Sequence, residues 1–211
     1  MNPPWWGIPL LLAVGAAIII AGWWWDRRRQ RRASEGFVTE DDLTTNTPPT
    51  VLSETDLRTI LAARGPEPTL PAGLADREFL THPARGVAAV TNPIVVVTDT
   101  DLEDERLILP LLDSAHTTRA PLVLVAPTFG FGLLGTLRAN HRTGRVTTLP
   151  VELTDPDLLG RAAELCHTLV VPDADLRSGW LPPSHRGTCA SWIADLDDSW
   201  VTPAQRPSTS T

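Results

Sequence analysis

The sequence predicts an α/β fold: a β/α layered domain carried behind a single N-terminal membrane-spanning helix. Two short apolar runs, Ile94–Val97 and Leu122–Val125, are rich in β-branched residues, uninterrupted, and bounded by Pro93, Pro121 and Pro127. Such runs are what strands buried on both faces look like. Segments with apolar residues at helical spacing lie between and after them, which gives the strand–helix–strand alternation of a layered α/β core. Ahead of all this stands Trp5–Trp25, a stretch with no charged residue.

That stretch is 21 residues long, about 31 Å as a helix, which matches the hydrocarbon thickness of a bilayer. Trp5 and Trp6 mark one end and Trp23, Trp24 and Trp25 the other, as interfacial aromatic belts do. No positive charge precedes it, as a cleaved signal peptide would require. Arg27, Arg28, Arg29, Arg31 and Arg32 follow it instead. The positive-inside rule then puts the N-terminus outside, the bulk of the chain in the cytoplasm, and these arginines against anionic lipid headgroups. Nucleic acid is the other partner such a run suits, but from Ala33 onward acids outnumber arginines by about eleven, which disfavours a nucleic-acid binder. Ala13, Ala17 and Ala21 stand at small-xxx-small spacing, open either to a homo-oligomer through the span or to no role at all.

Residues 1–32 are thus read as anchor and basic flank, and 33–72 as a linker with one short helix. That helix is placed at Val51–Arg64, with Ser53 as its cap, Asp56 three residues on, and Gly65 as its stop. The globular core is expected over 73–202. Within it a helix is placed at Leu102–Ala115, with Asp101 as N-cap and Glu103, Asp104 and Glu105 in its first turn. A second covers Gly132–Asn140. A third strand, Arg145–Leu153, is assigned to an edge because Pro150 interrupts it. Pro156–His167 has helical spacing, Thr168–Val171 and Ser191–Leu196 are returning strands, and 203–211 is a disordered tail.

Several patterns bear on chemistry. All 18 basic residues are arginine, so a P-loop lysine and a lysine Schiff base are both excluded. Gly130-Phe131-Gly132-Leu133-Leu134-Gly135 is a literal G-x-G-x-x-G between a strand and a helix, with Glu152 about twenty residues on. This is the dinucleotide-binding pattern, and it opens an alternative as a nucleotide-binding enzyme or sensor. Against it, Pro127-Thr128-Phe129 separate the strand from the first glycine and spoil the tight turn. The acids Asp99, Asp101, Glu103, Asp104 and Glu105 suit either a magnesium site or helix capping, and capping is the expectation. The five histidines show no metal-ligand spacing, no G-x-S-x-G elbow is present, and Cys166 and Cys189 are expected as free thiols packed as small hydrophobes. No enzyme, cofactor or metal is expected.

One family resemblance runs through the core. Pro93 with "IVVVTD", "ILPLLD" ending at Asp113, "PLVLVA" from Pro121, "LGTLRAN" from Leu134 and Gly144-Arg145-Val146 fall in ungapped register. "DREFLT" from Asp76 and Pro83-x-x-Gly86 follow the same pattern upstream. This stretch resembles the apical, substrate-binding domain of group I chaperonins, the GroEL type. The resemblance implies two parallel helices framing an apolar groove for exposed segments of other proteins. Carried over, it puts Leu109 and Leu112 on the first helix and Leu134, Arg138 and Ala139 on the second as the peptide-binding set. Arg138 replaces an apolar residue of the family, which implies a partly cationic groove and a selective partner with an acidic amphipathic segment. The equatorial ATPase and intermediate domains have no counterpart in this sequence, so the expected function is an ATP-independent, membrane-anchored protein- or peptide-binding module. A structural subunit of a membrane assembly is the remaining alternative.

Overall fold

The computed structural model describes residues 52–178 and 181–204. The Trp5–Trp25 stretch and the Arg27–Arg32 run lie outside them; among the described residues no helix is long and apolar enough to cross a membrane. Two sheets organise the domain. Strands β1 (Ala88–Thr91), β6 (Cys189–Ala194) and β7 (Ser199–Pro203) form an antiparallel sheet in the order β1-β6-β7. Strands β2 (Ile94–Thr98), β3 (Leu122–Ala126), β4 (Thr148–Glu152) and β5 (Val170–Val171) form a parallel sheet in the order β4-β3-β2-β5. The two runs read as doubly buried strands are β2 and β3, and every residue of β3 is buried.

Helices α2 (Leu109–Thr118) and α3 (Phe131–Arg142) make the crossovers from β2 to β3 and from β3 to β4. Helix α4 (Pro156–Leu165) returns from β4 to β5, past β3 and β2. Right-handed crossovers put α2 and α3 side by side on one face of the parallel sheet and α4 on the other. Helix α4 touches both β2 and β7, so it fills the space between the two sheets. Its own start is well specified: Pro156 occupies the first turn and the Asp155 carboxylate accepts from the Asp157 amide at 2.9 Å.

The antiparallel sheet shows period-two burial on two cores. Ala88, Val90, Trp192, Ala194 and Val201 face the main core, while Ala89 and Ile193 face the opposite way. Helix α1 (Glu54–Ala63) covers that second face with Leu57, Ile60 and Leu61. Ser53 caps α1 by accepting from the Asp56 amide at 3.1 Å, as its sequence implies. Arg64 stacks over the Trp200 ring at 4.3 Å, and Arg85 pairs with Glu54. Residues 69–75 run as an extended strap that closes both sheets at once. Leu70 bridges Ser199 of β7 and Leu74 bridges Val151 of β4, which also covers the edge that Pro150 helps to form.

The first core helix starts later than its acids suggest. Leu102 is buried and bridges Phe129, its amide donating to the Thr128 carbonyl at 3.0 Å. That pairing holds residues 102–104 extended, so a 3-10 turn at Glu105–Leu107 and then Pro110 open α2. Asp101 is therefore not the cap; its carboxylate accepts from the Thr128 hydroxyl at 2.9 Å. The short helix α5 (Asp173–Ser178) and strands β1 and β7 have no counterpart in the sequence reading.

Candidate peptide-binding face

Helices α2 and α3 both begin at the carboxyl ends of their strands, and the loop before α2 is fastened to the start of α3. The Gly130 amide donates to the Leu102 carbonyl at 2.8 Å, and the Thr136 hydroxyl donates to Glu105 Oε2 at 2.8 Å. The inward stripe of α2 is Ile108, Leu111, Leu112 and Ala115; that of α3 is Leu133 and Leu137. Both stripes sit at helical spacing and bury against the sheet.

What remains outside is apolar in part. Leu109 is 50% exposed and Phe131 is 88% exposed. A large hydrophobic side chain left that open on a folded domain loses the stabilisation burial would give it, about 1.5–3 kcal/mol. Gly132 and Gly135 follow Phe131 on α3, and an added Cβ would meet nothing within 4 Å at either position. Leu134 is half-buried against the core and Ala139 is exposed. Beside Phe131 the surface of α3 is therefore low and bare.

The structure separates the residues carried over from the resemblance. Leu109 is on the surface. Leu112 is not: it is 6% exposed and belongs to the core, because it lies on the Ile108–Leu111–Ala115 stripe. Arg138 does not make the groove cationic. Its Nη2 lies 2.7 Å from Asp76 Oδ2 and its Nε 2.7 Å from Glu78 Oε2, so the charge is spent within the domain. The amide of Glu78 and then Arg138 hold the Asp76 carboxyl below its ordinary range. Phe131, the most exposed of the large apolar residues, was visible only as a filler position of the glycine pattern. Its offset from the Leu133–Leu137 stripe was the available signal.

In the glycine pattern the first glycine turns toward the protein itself. Gly130 has ordinary extended angles, φ −65° and ψ 149°, and its amide is already taken by the Leu102 carbonyl. A Cβ on Gly130 would stand 3.0 Å from Glu103 Cα, so the close approach this glycine permits is to the protein's own backbone. Glu152 ends β4 beside Ala126, its amide donating to the Gly73 carbonyl at 2.9 Å; partial burial pushes its carboxyl up. Among the described residues no group of three or more His, Cys, Asp or Glu is placed to hold a metal ion. Asp104 instead caps the 3-10 turn, accepting from the Arg106 amide at 2.9 Å.

His141, near the end of α3, is packed edge-on against Phe79 with ring centroids 5.6 Å apart. Its Nδ1 lies 3.1 Å from the Thr148 carbonyl oxygen, to which it donates when it carries a proton. Burial pushes its pKa below the ordinary 6.5, opposed by the Thr148 contact. The folded state therefore holds a neutral imidazole that the unfolded chain protonates, so the contribution to stability is complete above pH 6.5 and fades below it. A melting series from pH 7.5 to 5.5 is expected to fall, and His141→Asn is expected to flatten that fall.

No family model matches the sequence, and no curated protein matches it. Solved structures do. A crystal form I structure of the chaperonin gp146 from bacteriophage EL 2 (Pseudomonas aeruginosa), in the presence of ATP-BeFx, is similar over 66% of this chain with a TM-score of 0.50 and 21% identity. Crystal form II of the same protein gives a TM-score of 0.51 at 19% identity, again over 66% of this chain. The matched region spans 28% and 29% of those chains, so it corresponds to less than a third of the phage protein. With its mixed layers and this neighbour, the described domain has a chaperonin-like fold.

Proposed function

We propose that this chain is a membrane-anchored, non-enzymatic binding module that holds a segment of a partner protein on the α2–α3 face, in the manner of a chaperonin apical domain and without ATP. The observation that carries the reading is the exposure of Leu109 on α2 and of Phe131 on α3, where Gly132 and Gly135 leave the backbone open. Apolar burial is non-directional, and such a face accepts an apolar side chain of a partner without demanding one sequence. Anchoring rests on the Trp5–Trp25 stretch and the five arginines behind it, a pattern that by the positive-inside rule favours the cytoplasmic side of the membrane for the domain.

The acidic α2 approach supports a reading of the partner's charge. Between 99 and 113 six carboxylates stand against one arginine, Arg106. None of the ion pairs among the described residues involves Asp99, Asp101, Glu103, Asp104 or Glu105, and Glu103 lies against Gly130, next to Phe131. With Arg138 neutralised, an acidic segment is disfavoured and an amphipathic segment with arginine or lysine beside its apolar residue is preferred. An array of amphipathic peptides, probed with the full chain in detergent, is expected to favour basic flanks and to lose signal with added salt. Leu109→Asp and Phe131→Asp are each expected to weaken capture about tenfold or more, the value of one buried apolar side chain. Undiminished capture by both variants would remove the face from the account.

A further inference from the structure

The chain has two cysteines, Cys166 and Cys189, and the fold brings them together. Cys166 ends α4 and Cys189 opens β6. The Thr188 amide donates to the Cys166 carbonyl at 2.9 Å, and a Cβ on Gly187 would stand 2.6 Å from that same oxygen. Gly187 is in turn clamped to β2, exchanging two 2.8 Å hydrogen bonds with Val95. The backbone at 187–189 therefore lies directly on Cys166 and is held there by the central strand. Both side chains are fully buried, and Cys166 is the first of the groups that push the Cys189 thiol up. Buried side chains on backbones held this close can bring their sulfurs to the bonded separation of about 2 Å by rotation.

We propose that Cys166 and Cys189 are a disulfide-forming pair, oxidised by a small-molecule disulfide such as oxidised glutathione while the chain folds, and then locked in whichever state folding left them. One cysteine thiolate attacks the reagent and expels one small thiolate, leaving a mixed disulfide. The second cysteine attacks that mixed disulfide at the protein sulfur and expels the second small thiolate. The two cysteines lose two electrons in all, the reagent gains them, and the two S–H protons end on the released thiols. After folding, exchange stops: no sulfur is accessible, and the Cys166 contact followed by burial holds the Cys189 thiol protonated, away from the nucleophilic form. The bond would close the loop containing β5 and α5, the edge of the parallel sheet. In a reducing cytoplasm the pair stays as thiols; in an oxidising compartment it becomes a staple, so its state records where the domain folded.

The test is synthesis of the full chain in a cell-free system with detergent micelles, at one reducing and one oxidising glutathione poise. Folded product is then selected by protease resistance. At the oxidising poise the mass is expected 2 Da lower than at the reducing poise, with a Cys166–Cys189 peptide after digestion and a higher melting temperature. At the reducing poise both thiols are expected to resist maleimide until denaturant is added. Cys166→Ser and Cys189→Ser controls are expected to show no mass loss. Free thiols, glutathione adducts, chain-to-chain disulfides or a lowered melting temperature in the oxidised, folded product would each overturn the proposal.

Discussion

Leu112→Asp is expected to unfold the domain, while Leu109→Asp on the same helix leaves it folded. Leu112 is 6% exposed, on a stripe with Ile108, Leu111 and Ala115, all of them buried. The change removes an apolar contact and buries an unpaired charge, for a loss of about 4 kcal/mol or more, a large part of a domain's stability. Leu109 is half open to solvent, so a carboxylate there keeps its water. Thermal melts followed by circular dichroism separate the two. A Leu112→Asp chain that melts like the parent would mean that α2 is rotated and that Leu112 belongs to the outer face after all.

Gly73→Ala is expected to cost about 3 kcal/mol or more, because the strap it sits in has no room for a methyl group. An added Cβ would fall 2.0 Å from the Leu196 carbonyl oxygen and 2.5 Å from the Asp197 nitrogen, both backbone atoms of the β6–β7 turn. The same glycine's carbonyl accepts the Glu152 amide at 2.9 Å, so moving the strap away would also break the cover over β4. Gly135→Ala provides the contrast. It is in a helix with open space beside it, and replacing glycine there is expected to be neutral or to gain up to about 1 kcal/mol. Denaturant midpoints for the two variants give the comparison directly; a mild Gly73→Ala would show that the strap does not pass so close to the turn.

How legible this domain is depends on whether each element is specified by its own residues or by its neighbours. Strands β2 and β3 are unmistakable because burial on both faces makes them continuous apolar runs, broken only by Thr98 at the end of β2. Helix α1 announces its start through Ser53 and Asp56. Strands β1 and β7 do not announce themselves. Ala88-Ala89-Val90-Thr91 is short and weakly branched, and Ser199–Pro203 ends in proline; each is a strand because β6 lies beside it. The start of α2 was misplaced for a related reason, since the Leu102–Phe129 bridge overrides an acid-rich first turn. For the candidate face, the resemblance names residues on α2 and α3, and the structure turns Leu112 of that set inward. The spacing of Ile108, Leu111, Leu112 and Ala115 already pointed Leu112 inward, and the charge of Arg138 could not be judged without Asp76 and Glu78, some 60 residues upstream. Phe131 is hard to read from sequence because the glycines around it suggest a ligand instead of a surface.

The central claim is that the α2–α3 face works by apolar contact, and its most direct test is photocrosslinking of the full chain in intact membranes. A benzophenone side chain is placed at 131, and as a control at 196, where Leu196 is also exposed but lies in the β6–β7 turn. The account expects a discrete crosslinked partner from position 131 that is absent from 196 and is lost when Leu109→Asp is added. Equal crosslinking from both positions, or a partner at 131 indifferent to Leu109→Asp, would contradict it.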